Sequence, residues 1–248
     1  MTVKLKCTIS YDGSEFSGFQ LQPYGRTVQG EIEKALRKLH KGTEIKIIAS
    51  GRTDAGVHAA GQVIHFETNL AIPNQKWPAA LNSLLPEDIA LLNVQPAPED
   101  FHARFQVKKK EYRYHVSLSP VRNVYNRKYA FSYPYQLDID SMRKAAALME
   151  GTHDFTSFCS IKTAVENRIR TIYSFQLVEE GSMLYFHVTG SGFLYNMVRI
   201  MVGTLLEVGR KKIFPEDIPR ILEARNRAES GRTVPGHGLY LWKVSYDN

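Results

Sequence analysis

The spacing of the apolar residues is the feature that most constrains the fold of this chain. From Val3 to Ser10, apolar and polar residues alternate, which is the two-residue period of a strand with one buried face. From Thr27 to His40 the apolar residues instead recur at helical spacing, and the Thr27 hydroxyl can cap that helix. A chain that changes repeatedly between these two periods is expected to form a mixed α+β fold.

The same two periods predict the remaining elements. Strands are predicted at 3–10, 44–49, 62–68, 89–94, 111–118, 169–178, 183–189 and 239–246. Helices are predicted at 27–40, 75–84, 141–149, 193–208 and 215–224. Because the strands pair across turns and are interspersed with helices, we expect antiparallel sheets that are covered by helices on one face. The two halves of the chain have similar content, which suggests two related lobes.

The segment from Arg104 to Lys128 carries the charge that points to a partner. It has eight Lys or Arg residues and one acid, Glu111, so its charge equals the net charge of +7 of the whole chain. The basic residues are Arg104, Lys108, Lys109, Lys110, Arg113, Arg122, Arg127 and Lys128. Aromatic residues accompany them at positions 112, 114, 125, 129, 131, 133 and 135. Cations beside aromatic rings suit RNA with unpaired bases, but a solvated strand face would explain the composition equally well.

Several kinds of catalytic site lack their sequence signatures. Cys7 and Cys159 are the only cysteines, too few for a disulfide framework or a cysteine metal site. No two histidines have the i, i+4 spacing of a helical zinc site, and the Gly-x-Ser-x-Gly, Walker and Gly-x-Gly-x-x-Gly motifs are absent. We therefore expect no metal and no cofactor. Short, interrupted apolar stretches and few cysteines predict a cytoplasmic protein without a membrane segment.

The residues Ser-Gly-Arg-Thr-Asp-Ala-Gly-Val-His, at 50–58, place Asp54 on a loop between two predicted strands. An aspartate near glycines in a loop is most often turn chemistry. However, Gly51 and Gly56 also let the backbone approach a ligand closely, and Arg52 would keep a nearby carboxylate ionised. From these residues alone, both a structural and a catalytic role for Asp54 remain open.

Six blocks of this chain resemble the tRNA pseudouridine synthase I (TruA) family. The first is GRTDAGVHA, which is similar to the catalytic motif of that family. The others are YDGSEFSGFQLQP with TVQGEIEKAL, ARFQVKKKEYRYHV, GTHDFTSF, GSGFLYNMVRIMVGTLLEVG and PGHGLYLWKVSY. They come in the family's order and span nearly the whole chain.

The resemblance implies roles for individual residues. Asp54 is implied to be the essential catalyst, and Arg52 to help displace the target nucleotide. Tyr112 is implied to stack on the target base and to accept a proton, and Arg199 to hold the aspartate carboxylate. Phe193 and Asn196 are implied to shape the pocket.

The resemblance also implies the fold and the reaction. The fold would be two ferredoxin-like (RRM-like) lobes, at 1–105 and 106–248, which form a continuous, mostly antiparallel sheet with a central active-site cleft. The enzyme would isomerise uridine to pseudouridine at positions 38, 39 and 40 in the anticodon stem and loop of tRNA, without a cofactor. Members of the family are homodimers.

Charge and resemblance together predict which side chains contact the RNA. These are Lys108, Lys109, Lys110, Arg113, Arg122, Arg127 and Lys128. Two other activities are consistent with the same residues. A non-catalytic tRNA-binding or RNA-chaperone protein would bind without reaction, and a carboxylate-dependent glycosidase would release free uracil.

Overall fold

The computed structural model describes residues 2–161 and 165–247. Residue 1, in the first predicted lobe, lies outside this part. So do residues 162–164 and 248, in the second predicted lobe. The chain divides into two compact units. The first comprises Met1–Lys108 and Tyr240–Asn248, and the second comprises Lys109–Leu239. The functional division into lobes 1–105 and 106–248 stays a prediction.

The first unit is a sheet packed against two helices. Its elements are β1 (Val3–Tyr11), α1 (Val28–Leu39), β2 (Ile48–Ala49), β3 (His58–Thr68), α2 (Trp77–Asn82) and β4 (Ile89–Ala97). β1 lies between β4 and β3 and is antiparallel to both. The other edge of β3 pairs with the short β2 and, over two residues, with the parallel closing strand Leu239–Ser245.

The second unit also combines a sheet with helices. Its elements are β5 (Lys109–Ser117), β6 (Phe131–Ser132), α3 (Ile139–Ala147), β7 (Gly151–Asp154), β8 (Ile169–Glu180), β9 (Met183–Gly190), α4 (Met197–Gly209) and α5 (Asp217–Ala224). The strands β5, β9, β8 and β7 are adjacent in that order and antiparallel. The closing strand, Leu239–Ser245, is β10.

The predicted α+β class with mostly antiparallel strands is confirmed. Helix α1 begins after Thr27, whose hydroxyl accepts a hydrogen bond from the Gly30 amide at 3.2 Å, as the capping argument requires. Its inward residues Val28, Ile32 and Leu36 are buried. None of the helices in the described residues is both long and apolar enough to cross a membrane.

Three predicted elements begin at wrong positions, each by four residues. The strand predicted at 44–49 is reduced to Ile48–Ala49, because the Ile47 amide donates to the Glu33 carboxylate at 3.1 Å instead of to a strand. The strand predicted at 62–68 begins earlier, since β3 begins at His58. The helix predicted at 193–208 begins at Met197 because the preceding Asn196 is left-handed, with φ of 61°.

Candidate active site

Asp54 lies on a loop between β2 and β3, here called the Asp54 loop (residues 50–57). The fully buried side chain of Gln62, on β3, holds the first residues of this loop. The Gln62 side-chain oxygen accepts from the Ser50 hydroxyl at 2.6 Å, and its nitrogen donates to the Gly51 carbonyl at 2.8 Å. The prediction that Asp54 is on a loop between strands is therefore confirmed.

Within this loop the main chain around Asp54 forms a tight turn. The Val57 amide donates to the Asp54 carbonyl at 3.2 Å, and Gly56 has a positive φ of 75° that favours glycine. Thr53 is buried, and its hydroxyl group lies 2.8 Å from that of Tyr11. Asp54 follows Thr53 and is half-buried, whereas Arg52 and Ala55 are exposed. The backbone therefore fixes the position of Asp54 and leaves the residue partly accessible to solvent.

Two glycines of the segment after β1 are required for this arrangement. A Cβ atom on Gly13 would lie 2.1 Å from the Val57 carbonyl oxygen, which no side chain tolerates. Gly18 has a φ of 109°, and a Cβ atom there would lie 3.0 Å from the Thr53 carbonyl oxygen. Sequence reasoning missed both supporting residues. The glycines in YDGSEFSGF were the available signal, but nothing local indicates which backbone they approach.

His58, the first residue of β3, is also a supporting residue that the sequence analysis did not single out. It is buried, and its Nδ1 accepts a hydrogen bond from the Gly13 amide at 3.0 Å. Its ring stacks on Tyr240 with centroids 4.6 Å apart. His58 therefore connects the end of the Asp54 loop to β10 and to the segment after β1.

The other implied site residues belong to the second unit. Tyr112 lies on β5, is buried, and contacts the ring of Phe193 edge-on with centroids 5.1 Å apart. Arg199 lies in the first turn of α4, and its Nη1 donates to the Asn196 side-chain oxygen at 2.8 Å. Its Nε donates to the Val234 carbonyl at 2.7 Å. The structure thus places four of the implied site residues in two contacting pairs, Tyr112 with Phe193 and Arg199 with Asn196.

A close backbone crossing positions the segment 231–235 that Arg199 contacts. A Cβ atom on Gly203 of α4 would lie 1.8 Å from the Arg232 carbonyl oxygen, so only glycine allows this approach. The Tyr114 hydroxyl on β5 donates to the Pro235 carbonyl at 2.8 Å. Burial raises the pKa of Tyr114 well above its ordinary value, so this hydroxyl group remains a donor.

The basic residues predicted to bind RNA have different surroundings. Lys108 pairs with Asp247 at 2.8 Å, and the Arg113 side chain donates to Glu111 at 2.8 Å. Lys109 lies 5.1 Å from the centre of the Tyr173 ring. Lys110 and Lys128 are half-buried, whereas Arg122 and Arg127 are exposed.

Arg122 and Arg127 lie on an exposed segment at 119–129. The same segment has large apolar side chains at the surface, with Val121 75% and Tyr125 84% exposed. Exposed rings next to arginines are the arrangement that unpaired nucleotides bind.

No group of three or more His, Cys, Asp or Glu residues among positions 2–161 and 165–247 is arranged to hold a metal ion.

Comparison with known proteins places these features in a family. Residues 8–106 and 145–247 match the family model described as tRNA pseudouridine synthase. The residues 107–144, with Tyr112 and most of the basic segment, lie outside that match. The match nevertheless covers well over half of the chain, including the Asp54 loop and α4.

Full-length relatives agree with the family model. The chain is 56% identical over 245 residues to tRNA pseudouridine synthase A of Anoxybacillus flavithermus, covering 99% of each chain. It is 56% identical over 247 residues to the protein of the same name from Bacillus subtilis, covering 99% of this chain and all of the relative. The chain belongs to the tRNA pseudouridine synthase family.

A solved structure, a Cbf5-Nop10-Gar1 complex, has a TM-score of 0.38 and 16% identity to this chain. The matching region covers 82% of this chain and 45% of the chain in that complex to which it is similar.

Proposed function

We propose that this protein is an enzyme that isomerises uridine to pseudouridine in tRNA, with Asp54 as the catalytic residue. The observation that carries the proposal is membership of the tRNA pseudouridine synthase family over nearly the whole chain. The proposed targets are positions 38, 39 and 40 in the anticodon stem and loop, and the proposed reaction needs no cofactor.

The reaction sets the requirements that the site must meet. The N1 glycosidic bond of uridine breaks, the base rotates, and C5 is joined to the sugar carbon. C5 loses a proton and N1 gains one, so no electrons are exchanged with another molecule. The Asp54 carboxylate adds to the base or to the sugar carbon, or assists departure of the base through a glycal-like intermediate.

The geometry of the Asp54 loop supports a catalytic role. Hydrogen bonds from Gln62 and the Val57 amide fix the main chain on both sides of Asp54. Asp54 itself remains only half-buried. A carboxylate held in this way can meet a nucleotide with little further ordering, which is how preorganised groups lower a reaction barrier.

The target uridine must leave its stack before it can react. Extrusion of a base costs a few kcal/mol, and side chains that occupy the vacated space or stack on the base offset that cost. We propose that the exposed Arg52 side chain displaces the nucleotide and that Tyr112 stacks on the base. Arg199, which Val234 and Asn196 orient, is proposed to bind the Asp54 carboxylate.

The topology of the first unit supports the finer fold proposal. Its elements follow the order strand, helix, strand, strand, helix, strand, with β4, β1, β3 and β2 adjacent in that order. This is the split βαβ arrangement of ferredoxin-like domains, so we propose that this unit is a ferredoxin-like lobe. A homodimer is proposed from the family resemblance, and a cytoplasmic location from the few cysteines and the short apolar stretches.

The assay that tests the function uses wild-type protein and tRNA with labelled uridine. The expected product is pseudouridine within an intact RNA chain. Binding without product would instead indicate the non-catalytic RNA-binding alternative. Release of free uracil would indicate a glycosidase.

Replacement of Tyr112 by phenylalanine tests whether its hydroxyl group accepts a proton. We expect kcat to fall by about 10²-fold, the lower range for loss of a general base, with an unchanged Kd for tRNA because the ring is retained. The measurements are single-turnover rates and tRNA binding. Tyr185→Phe on the neighbouring strand β9 is the matched control and should leave kcat and the Kd for tRNA unchanged, because Tyr185 is not one of the proposed site residues. Unchanged turnover in Tyr112→Phe would leave this residue only a stacking role.

Binding of tRNA should weaken steeply as salt concentration rises, because basic side chains release counterions from the phosphates. Replacing both Arg122 and Arg127 by glutamine should make the slope of log affinity against log salt less negative by about 1.4 to 1.8. Lys34 and Lys38 are exposed on α1 and provide the matched control pair. A slope that changes equally in both double variants would contradict a specific role for the segment 119–129.

A further inference from the structure

A closed loop at 17–26, here called the Tyr24 loop, presents an aromatic ring to solvent. The Ser17 amide donates to the Arg26 carbonyl at 2.8 Å, which joins the two ends of the loop. The Gln22 side chain donates to the Ser17 carbonyl at 2.6 Å. Gly25 has a φ of 93°, and a Cβ atom there would lie 2.3 Å from the Ser17 hydroxyl oxygen. The loop therefore has a defined backbone and is not merely an extended linker.

The Tyr24 loop is attached to both the Asp54 loop and α1. The Phe19 amide donates to the Thr53 carbonyl at 3.0 Å, one residue before Asp54. The Phe19 carbonyl accepts from the Gln29 amide at 2.9 Å, in the first turn of α1. Tyr24 follows Phe19 by five positions, so at about 3.3 Å per residue it lies within roughly 17 Å of the Phe19 backbone.

Tyr24 is 89% exposed, and Leu21 on the same loop is 46% exposed. Phe19, which also belongs to this loop, is by contrast buried and lies against Tyr11, with ring centroids 6.2 Å apart. The loop therefore buries one ring in the unit and leaves another in water. An ordered backbone that holds an aromatic face in solvent provides a platform for a base.

The charge of the neighbouring Arg26 is already engaged within the protein. Its guanidinium group forms two hydrogen bonds to Asp88, at 2.5 and 2.9 Å, and a third to Glu31 at 3.0 Å. The hydrogen bonds to Asp88 are the main reason why the pKa of Arg26 is raised. A nucleotide at the Tyr24 loop would therefore be held by its base more than by its phosphate.

We propose that Tyr24 stacks on an unpaired base of the tRNA substrate close to the uridine that reacts at Asp54. This inference rests on the proposed function and deepens it. It adds a substrate-binding residue that fixes the register of the anticodon loop relative to the Asp54 loop. The stacking of Tyr24 should contribute to the affinity for tRNA by an amount that does not change with salt concentration.

The test compares Tyr24→Ala, Tyr24→Phe and Phe214→Ala with wild-type protein. Loss of one base stack is expected to raise the Kd for tRNA about 5- to 150-fold in Tyr24→Ala. Tyr24→Phe retains the ring and should bind as wild type does. Phe214 is 60% exposed on the second unit and serves as the matched control for loss of an exposed ring.

Two further measurements separate stacking from other causes. The slope of log affinity against log salt should be the same in Tyr24→Ala and wild type, because no phosphate contact is removed. A stem-loop RNA with an abasic site at the stacked nucleotide should bind both proteins equally. Positions in the loop are replaced one at a time to find that nucleotide.

The outcomes distinguish the inference from the function on which it rests. If wild type forms no pseudouridine, the proposed function fails. If wild type is active but Tyr24→Ala binds tRNA as tightly as wild type, only the inference fails. An equal loss of affinity in Tyr24→Phe, or a penalty that persists at every abasic position, would also overturn it.

Discussion

Replacing Asp54 by alanine is expected to abolish pseudouridine formation, with a loss of turnover of roughly 10⁴-fold or more. The reaction needs a carboxylate at the base or sugar, and no other acidic residue belongs to the Asp54 loop. The Val57 amide donates to the Asp54 carbonyl, which alanine keeps, so the turn of the loop should be retained. The measurements are pseudouridine yield from labelled tRNA and the melting temperature.

Two further variants show whether the carboxylate itself is responsible. Asp54→Asn keeps the shape of the side chain and removes only the charge, so it should lose activity nearly as fully as Asp54→Ala. Thr53→Val removes the contact of a buried hydroxyl group with Tyr11 and should lower the melting temperature while retaining measurable turnover. Equal product from wild type and Asp54→Ala would remove Asp54 from the mechanism.

The elements that the sequence predicted well are those decided by local periodicity. Helix α1 has an apolar stripe and a capping threonine within one short stretch, and both appear in the structure. β1 alternates buried and partly exposed residues from Leu5 onward, as its pattern predicts. In these segments the side chains that determine the element belong to the element itself.

The elements that were predicted wrongly depend on distant partners. The strand predicted at 44–49 shortens because the Ile47 amide donates to the carboxylate of Glu33, which lies on α1, 14 positions earlier in the sequence. β3 begins earlier than predicted because His58 and Ala59 pair with β10, near the other end of the chain. Nothing in the local pattern of either segment indicates these partners.

The candidate site divides in the same way. The loop position of Asp54 followed from the strands on either side, but its supports Tyr11, Phe19 and Gln62 lie elsewhere in the sequence and were not singled out. The roles of Tyr112 and Arg199 came from the family resemblance alone. Composition would have assigned Tyr112 to an ordinary strand, where its buried ring indeed lies.

Replacement of Gly203 by alanine is the second change with a large expected effect. Alanine favours a helix over glycine by about 1 kcal/mol, so propensity alone predicts stabilisation. The new Cβ atom would, however, lie 1.8 Å from the Arg232 carbonyl oxygen. Because that atom is backbone, the segment 231–235 must move away from α4.

That movement would break three hydrogen bonds of the segment. They are the Gly231 amide to the Thr204 hydroxyl at 2.9 Å, the Arg199 side chain to the Val234 carbonyl at 2.7 Å, and the Tyr114 hydroxyl to the Pro235 carbonyl at 2.8 Å. At about 1 kcal/mol each, offset by the helix propensity, the expected loss is about 2 kcal/mol. The melting temperature should fall by roughly 4 to 8 °C.

Gly209→Ala on the same helix is the matched control for this variant. Its Cβ atom would meet side-chain atoms instead of backbone, namely the Met142 sulfur at 2.5 Å and a Leu137 methyl group at 2.8 Å. The propensity gain is of the same kind, so the difference between the two variants isolates the backbone crossing at Gly203. Thermal unfolding of both variants measures that difference. A smaller fall in melting temperature in Gly203→Ala than in Gly209→Ala would mean that segment 231–235 moves easily. In that case, it could not be the element that holds Arg199 in place, and a fall in turnover in Gly203→Ala would need another cause.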